Sequence, residues 1–321
     1  MASSVAKTLA RIRGSVEAGA YYEAQQMYKT SYHRSKARKQ LSDAIQILQE
    51  GAVTQLSYGQ TTCGVELGML LVETYTSTDT PADEASVARL LAIIHAFPPP
   101  SRAGGEAAAG SAAGQGSAAA VVDECARLVA TAVKWALKCG AAAGARSMHS
   151  AFAAYLWKSL GAEGFGRALQ HFVRSDDAQT FAEALHSCAQ SGPAAEVDLW
   201  LLRALLQVLA AASSPSSRAA QLAHARAVSR AFCQLSGPLD TPTSHFAELL
   251  LLALEHAGQS PRAHAMFQLA RERYSDEVLR RDESLGPMLE RVEVGFFNVR
   301  RGNGALGGLL GDLFKSLTEA H

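Results

Sequence analysis

Residues 19–28 read Gly-Ala-Tyr-Tyr-Glu-Ala-Gln-Gln-Met-Tyr, and their spacing decides the fold class. Gly19 is a turn residue, Ala24 follows five positions later, and Tyr28 lies one helical turn beyond Ala24. A small residue lets two helix backbones approach closely, and an aromatic residue one turn later fills the groove beside them. The stretch therefore predicts the start of the second helix of a helical hairpin.

Helical periodicity continues through most of the chain. Two apolar stripes follow the opening stretch, made of Leu41, Ala44, Ile45, Leu48 and Ala52 and of Leu67, Leu71, Val72 and Tyr75. The small-then-aromatic pairing recurs at Ala168 and Phe172, and a second full signature comprises Gly258, Ala263, Phe267 and Ala270. The pattern predicts further helices over 4–18, 21–33, 37–56, 62–76, 84–97, 121–139, 148–160, 178–190, 195–212, 216–235, 248–256 and 284–298. No alternating strand pattern of useful length appears. We therefore expect an all-α chain of roughly fourteen helices, an α-solenoid of tetratricopeptide-like hairpins.

Composition limits the function classes. The 321 residues are 48% hydrophobic, and 30 Lys+Arg balance 30 Asp+Glu, so a general nucleic-acid binder is disfavoured. Basic residues nevertheless crowd the stretch 29–39, which is either a solvated helix end or a binding face for an acidic partner. The strongest apolar runs, 199–212 and 249–254, are interrupted or short, so stable membrane insertion is not expected. Five scattered cysteines suggest reduced thiols in the cytosol.

The sequence offers no catalytic centre. Residues 302–307 fit the letters G-x-G-x-x-G, but no strand precedes them, so we interpret them as a hinge. The ten histidines do not cluster, and His149 and His171 lie on predicted helices as single residues. No cysteine pair or histidine has the spacing of metal ligands. We predict a protein that is not an enzyme and that has no cofactor and no metal site.

Low-complexity stretches and turn residues divide the chain. Residues 1–100 and 119–300 are predicted as N-terminal and C-terminal helical repeats, separated by a flexible Gly/Ala/Ser insertion at 101–118. Deleting that insertion should leave the stability nearly unchanged. The helical pattern breaks at 236–247, and the sequence does not decide whether this segment forms one small β-hairpin. Residues 301–321 are predicted to be a flexible tail.

The tail carries a short amphipathic helix pattern. Its apolar residues recur at helical spacing and are Leu309, Leu310, Leu313, Phe314 and Leu317. A helix this short is marginal in water unless its stripe is covered. The cover could be the last hairpin, a protein partner or a membrane; membrane binding is the weakest of the three, and we favour docking on the chain itself or disorder in the free protein.

Three stretches near the N-terminus resemble the Golgi-to-ER-traffic protein four family, the fourth factor of guided entry of tail-anchored proteins. They are Ser15–Tyr28, Ser42–Ala52 and Glu66–Tyr75, and the likeness continues at His149, Leu156-Trp157, Ala168–Asp177, Phe296-Phe297 and Gly307–Leu313. The insertion at 101–118 and the shortened segment at 236–247 depart from the family pattern. The resemblance implies an all-helical adaptor without an activity of its own.

The resemblance also implies partners. In the family, the N-terminal half docks the targeting ATPase for tail-anchored proteins, the C-terminal half binds a ubiquitin-like co-chaperone, and some lineages add a large scaffold chaperone. The residues carried over as ATPase contacts are Arg11, Arg13, Arg34, Lys36 and, as a regulatory contact, Glu66. Each could equally be an ordinary solvated charge.

The partner groove is expected within 246–254. Its candidate residues are Phe246, Leu249 and Leu250, with Ala253 not included, and a core role is the better interpretation of this apolar run. A generic tetratricopeptide-like peptide-binding co-chaperone scaffold is the alternative function. It is weaker because such modules line a concave face with Lys, Arg and Asn, and this chain has only two asparagines.

Overall fold

The computed structural model of the protein describes residues 4–99, 118–212 and 214–299, and within these ranges it contains fourteen α-helices and no strand. The helices are α1 Ser4–Glu17, α2 Tyr21–Ala37, α3 Leu41–Ser57, α4 Thr61–Ser77, α5 Glu84–His95, α6 Ala118–Lys138, α7 Ala142–Leu160, α8 Phe165–Phe172, α9 Ala178–Gln190, α10 Val197–Ala210, α11 Pro215–Ser236, α12 Pro242–Glu255, α13 Pro261–Arg273 and α14 Leu285–Phe297. The predicted all-α class is confirmed. The predicted insertion, apart from Ala118 in α6, and the predicted tail lie outside the described residues.

The chain divides into two compact units, Met1–Cys188 and Ala189–His321. In the first unit, each helix from α1 to α5 packs on the second helix after it, and most of these helices also pack on the next one. This regular pattern is the packing of a solenoid, in which hairpins bury their apolar faces against their neighbours. The helices on both sides of the predicted insertion belong to this one unit, since α4 contacts α6.

The opening signature behaves as its spacing predicts. Gly19 has φ +80°, a left-handed conformation that a side chain would strain, and α2 begins two residues later. Ala24 and Tyr28 are buried on one face of α2. The Tyr28 ring packs against Gly51 of α3, where an added Cβ would lie only 2.9 Å from the ring. The aromatic residue therefore fills a groove that exists because α3 has a glycine at this point.

The segment 236–247 contains no β-hairpin. Helix α11 ends at Ser236, Gly237 follows with φ +82°, and α12 already begins at Pro242. Thr241 and Ser244 form a reciprocal capping box, and Pro242 occupies the first helical turn, where its missing N–H costs nothing. These local signals start α12 six residues earlier than the predicted helix 248–256.

In the second unit, α10 contacts α11, α12 and α14, and α12 contacts α13. The second signature lies on α13, with Gly258 at φ +81° and Ala263, Phe267 and Ala270 buried. A polar clamp supports α10: Arg281 donates hydrogen bonds to both carboxylate oxygens of Asp198, at 3.0 and 3.1 Å, and to Thr243 Oγ1 at 2.8 Å. The clamp joins α10, the start of α12 and the segment before α14.

Candidate partner-binding surfaces

The two candidate arginines of α1 have different surroundings. Val5, Leu9, Ile12 and Val16 form the buried stripe of α1, and Arg11 and Arg13 lie outside it and are exposed. Arg13 forms an ion pair with Glu50 of α3, with 3.5 Å between Nη2 and Oε2. Arg11 makes no ion pair with any described residue. Arg11 can therefore bind an acidic partner directly, whereas Arg13 would first have to break its ion pair with Glu50.

The candidates at the end of α2 lie on opposite flanks of the helix, because residues two apart are separated by about 200°. Arg34 lines a depression of about 120 Å³ between α1, α2 and α3, together with Thr8, Arg38 and Asp43. Lys36 lies on the other flank, where its Nζ donates a 3.0 Å hydrogen bond to Tyr32 Oη. These two cations therefore do not form one patch.

The Lys36 side is anchored to α4. Tyr32 is buried, and its hydroxyl lies 2.9 Å from Thr74 Oγ1, while Lys36 Nζ also lies 5.5 Å from the centre of the Tyr32 ring. A cation held over an aromatic ring keeps its charge and loses conformational freedom. Lys36 is thus a positioned positive charge on the surface formed by α2 and α4.

Glu66 lies on this same surface and already has partners. Its Oε2 accepts hydrogen bonds from Lys29 Nζ at 2.6 Å and from Gln25 Nε2 at 2.7 Å. The hydrogen bond from Lys29 holds the pKa of the Glu66 carboxyl below its usual value, against an opposing effect of burial. Both charges remain partly exposed, so the pair ties α4 to α2 without being closed to a partner.

The candidate groove residues of the second unit are mostly interior. Phe246 and Leu250 are buried, and the Phe246 ring lies 5.5 Å from the ring of Tyr274. Leu249 is only half-buried, and Leu252, which is not among the candidate residues, is 42% exposed. Phe246 and Leu250 therefore belong to the core on one face of α12, whereas Leu249 and Leu252 lie on the other side of that helix.

The structure corrects the expectation that the histidines do not cluster. His149 of α7 and His171 of α8 meet, with their Nδ1 atoms 2.9 Å apart, so one ring donates and the other accepts. Burial lowers the pKa of each ring to about 4, with smaller contributions from the nearby Arg174 and, for His171, from His149. His171 also meets the ring of Phe152 edge-on at 4.7 Å. The pair is neutral near pH 7 and belongs to the packing of α7 on α8.

Among the residues that the structure describes, no group of three or more His, Cys, Asp or Glu side chains could hold a metal ion. Within the same ranges, no helix has both the length and the apolar character needed to cross a bilayer. The features that remain for a functional interpretation are thus the charged surfaces of the first unit and the exposed apolar residues of the second.

Comparison with known proteins identifies the family. A family model described as GET4, Golgi to ER traffic protein 4, matches residues 38–317. The chain belongs to the Golgi to ER traffic protein 4 family. Protein GET4 of Arabidopsis thaliana is 27% identical over 315 residues, covering 96% of this chain and 94% of that protein. The Golgi to ER traffic protein 4 homolog of Homo sapiens is 26% identical over 309 residues, covering 96% and 85% respectively.

A solved structure supports the fold independently. The crystal structure of C. therm. Get4 superposes with a TM-score of 0.71 and 19% identity, covering 97% of this chain and 96% of that one. At this identity the match concerns the fold, which is the helical solenoid expected from the sequence. The resemblance inferred from three short stretches therefore extends over nearly the whole chain.

Proposed function

We propose that this chain is a non-enzymatic, cytosolic adaptor in the post-translational targeting of tail-anchored membrane proteins to the endoplasmic reticulum. It bridges the targeting ATPase, on the first helices, and a ubiquitin-like co-chaperone, on the second unit. The observation that carries the proposal is the family match over residues 38–317, which supports a role in traffic at the endoplasmic reticulum. A large scaffold chaperone is a further candidate partner of the same complex.

The ATPase contact is proposed to be partly electrostatic. Arg11, Arg34 and Lys36 are exposed and make no ion pair with any residue in the described ranges, so their charge is available to an acidic surface. Arg13 and Glu66 already form ion pairs within the chain, and we assign them a weaker role. A charge that must break an existing ion pair gains less binding free energy from a new partner than an unpaired charge does. Exposed charges of this kind mainly accelerate association.

The separation of Arg34 from Lys36 makes the contact testable one flank at a time. Association of the full chain with the targeting ATPase is measured for Arg34→Glu, for Lys36→Glu and for the control Lys138→Glu, an equal charge change at an exposed site on α6. We expect at least one of the two α2 variants to slow association by about threefold or more, and the effect to shrink as salt rises from about 0.05 to about 0.3 M. The flank that responds identifies the contact surface.

Two outcomes would remove the electrostatic proposal. Association that is unchanged in both α2 variants excludes these cations, and an equal slowing by Lys138→Glu shows that only net charge matters. Far-UV circular dichroism of each variant checks that the helices are retained.

For the ubiquitin-like partner, we propose the exposed side of α12. Leu249→Asp and Leu252→Asp should weaken binding of that partner, while Leu269→Asp, at a 66% exposed site on α13, should not. Equal affinity in all three variants would place the partner elsewhere on the chain. Phe246 and Leu250 are unsuitable for this test, because their replacement would disturb the core before it disturbed a surface.

A further inference from the structure

An open groove of about 840 Å³ lies in the second unit, between the end of α10, the start of α11 and the outer side of α14. Its walls are mainly apolar and include Ala210, Ala212, Pro215, Pro287 and Val294. Val294 is 42% exposed, because it lies two residues from the buried Val292 and Phe296 and so on the opposite side of α14. Exposed apolar walls around a concave surface are typical of a docking site for another apolar element.

Arg218 fixes the end of α14 at this groove. Its Nη1 donates to the carbonyl oxygen of Phe296 at 3.4 Å, and its Nη2 donates to Asn298 Oδ1 at 2.6 Å. Asn298 is the C-cap of α14 and has the left-handed conformation, with φ 55° and ψ 30°. A left-handed cap ends the helix and turns the chain away from its axis. Asn298 itself lines the groove, so α14 ends at the groove's edge.

The sequence that follows α14 carries an apolar stripe, which matches the apolar walls of the groove. Residues 309–317 carry five apolar residues at helical spacing, and the nine residues between Val299 and Leu309 include four glycines. Nine residues can span up to about 30 Å when extended. Helix α14 has 13 residues and is about 20 Å long. The connection is therefore long enough to bring the apolar stripe back along the whole of α14, from Asn298 to Pro287.

We propose that this groove binds the apolar stripe of the chain's own residues 309–317, packed as a short helix against Val294 and Pro287. Attachment to α14 gives the stripe an effective concentration in the millimolar range, so a separate partner at a lower concentration competes only through a correspondingly higher affinity. Docking also supplies the cover that so short an amphipathic helix needs in water.

Hydrogen exchange of the full chain tests the proposal. Amides of residues 309–317 should exchange at least about tenfold more slowly than those of a synthetic peptide of residues 305–318. Val294→Glu in the groove and Leu313→Glu in the stripe should both abolish this protection. The controls Leu269→Glu, at another exposed leucine of the second unit, and Lys315→Glu, off the stripe, should leave it intact.

A second measurement avoids any substitution in the groove. In a chain ending at Gly304, amides of α14 should exchange faster than in the full chain, because the groove is uncovered. Unchanged exchange of α14 would contradict the proposal.

Three further results would overturn it. Protection that rises with protein concentration would assign the groove to the stripe of a second copy. Protection that persists in Val294→Glu would place the stripe elsewhere. Protection that is absent from the free chain and appears only after the ubiquitin-like partner is added would make the stripe a partner-binding element, while leaving the adaptor function itself intact.

Discussion

Replacing Gly51 by alanine should destabilise the first unit, although alanine is the better helix former. An added Cβ would lie 2.9 Å from two ring carbons of Tyr28 and 3.0 Å from a methyl carbon of Leu67. Both neighbours are buried, so neither can move into solvent. Alanine gains about 1 kcal/mol of helix propensity over glycine. Overpacking a tight core costs about 1–3 kcal/mol, and two close, buried neighbours put this site in the upper half of that range, so after the gain in propensity we expect a net loss of about 1–2 kcal/mol.

Gly14→Ala is the matched control, because it lies in α1 and has no atom within 4 Å of its added Cβ. It should gain up to about 1 kcal/mol from propensity alone. Urea unfolding followed by tryptophan fluorescence measures both changes. Trp200 is replaced by phenylalanine in every protein, so that the signal comes from Trp135 and Trp157 of the first unit. If Gly51→Ala stabilises the unit as much as Gly14→Ala does, the close contact between Tyr28 and α3 is refuted.

Two further predictions concern titratable groups. The pKa of His149 and of His171 is lowered from 6.5 to about 4, so the unfolded state binds more protons, and the free energy of unfolding falls as pH drops from 6.5 towards 4, by about 2 kcal/mol per histidine at pH 5. When unfolding is measured at pH 7 and at pH 5, this fall should be smaller in the double variant His149→Gln/His171→Gln. An equal fall in both proteins would contradict the buried neutral pair. Glu66→Gln removes the charge opposite Lys29, yet it should change the free energy of unfolding by less than about 1 kcal/mol because the pair is partly exposed, and a loss of several kcal/mol in urea unfolding would show that this pair holds α4 to α2.

Much of the fold follows from short-range signals. Gly19 and Gly258 mark turns that need positive φ, and the small-then-aromatic pairs after them mark the buried faces, so both hairpin signatures were predictable. The start of α12 was missed because the apolar pattern begins later than the helix. The Thr241-Pro242 cap, which is visible in the sequence, would have located it.

The candidate site was harder to predict, because surfaces depend on which helices pack together. His149 and His171 are 22 residues apart and meet only because α8 folds back on α7, which no local pattern reveals. Lys29 likewise finds Glu66 across two helices. The separation of Arg34 from Lys36, by contrast, follows from their spacing on one helix and was predictable.

The adaptor account is tested most directly by native mass spectrometry of the full chain mixed with the targeting ATPase and the ubiquitin-like partner. The account predicts a species that contains all three proteins at once, and its abundance should fall with Leu249→Asp while the binary complex with the ATPase remains. Binary complexes that exclude one another, or the absence of any complex, would contradict the claim that this chain is a bridge.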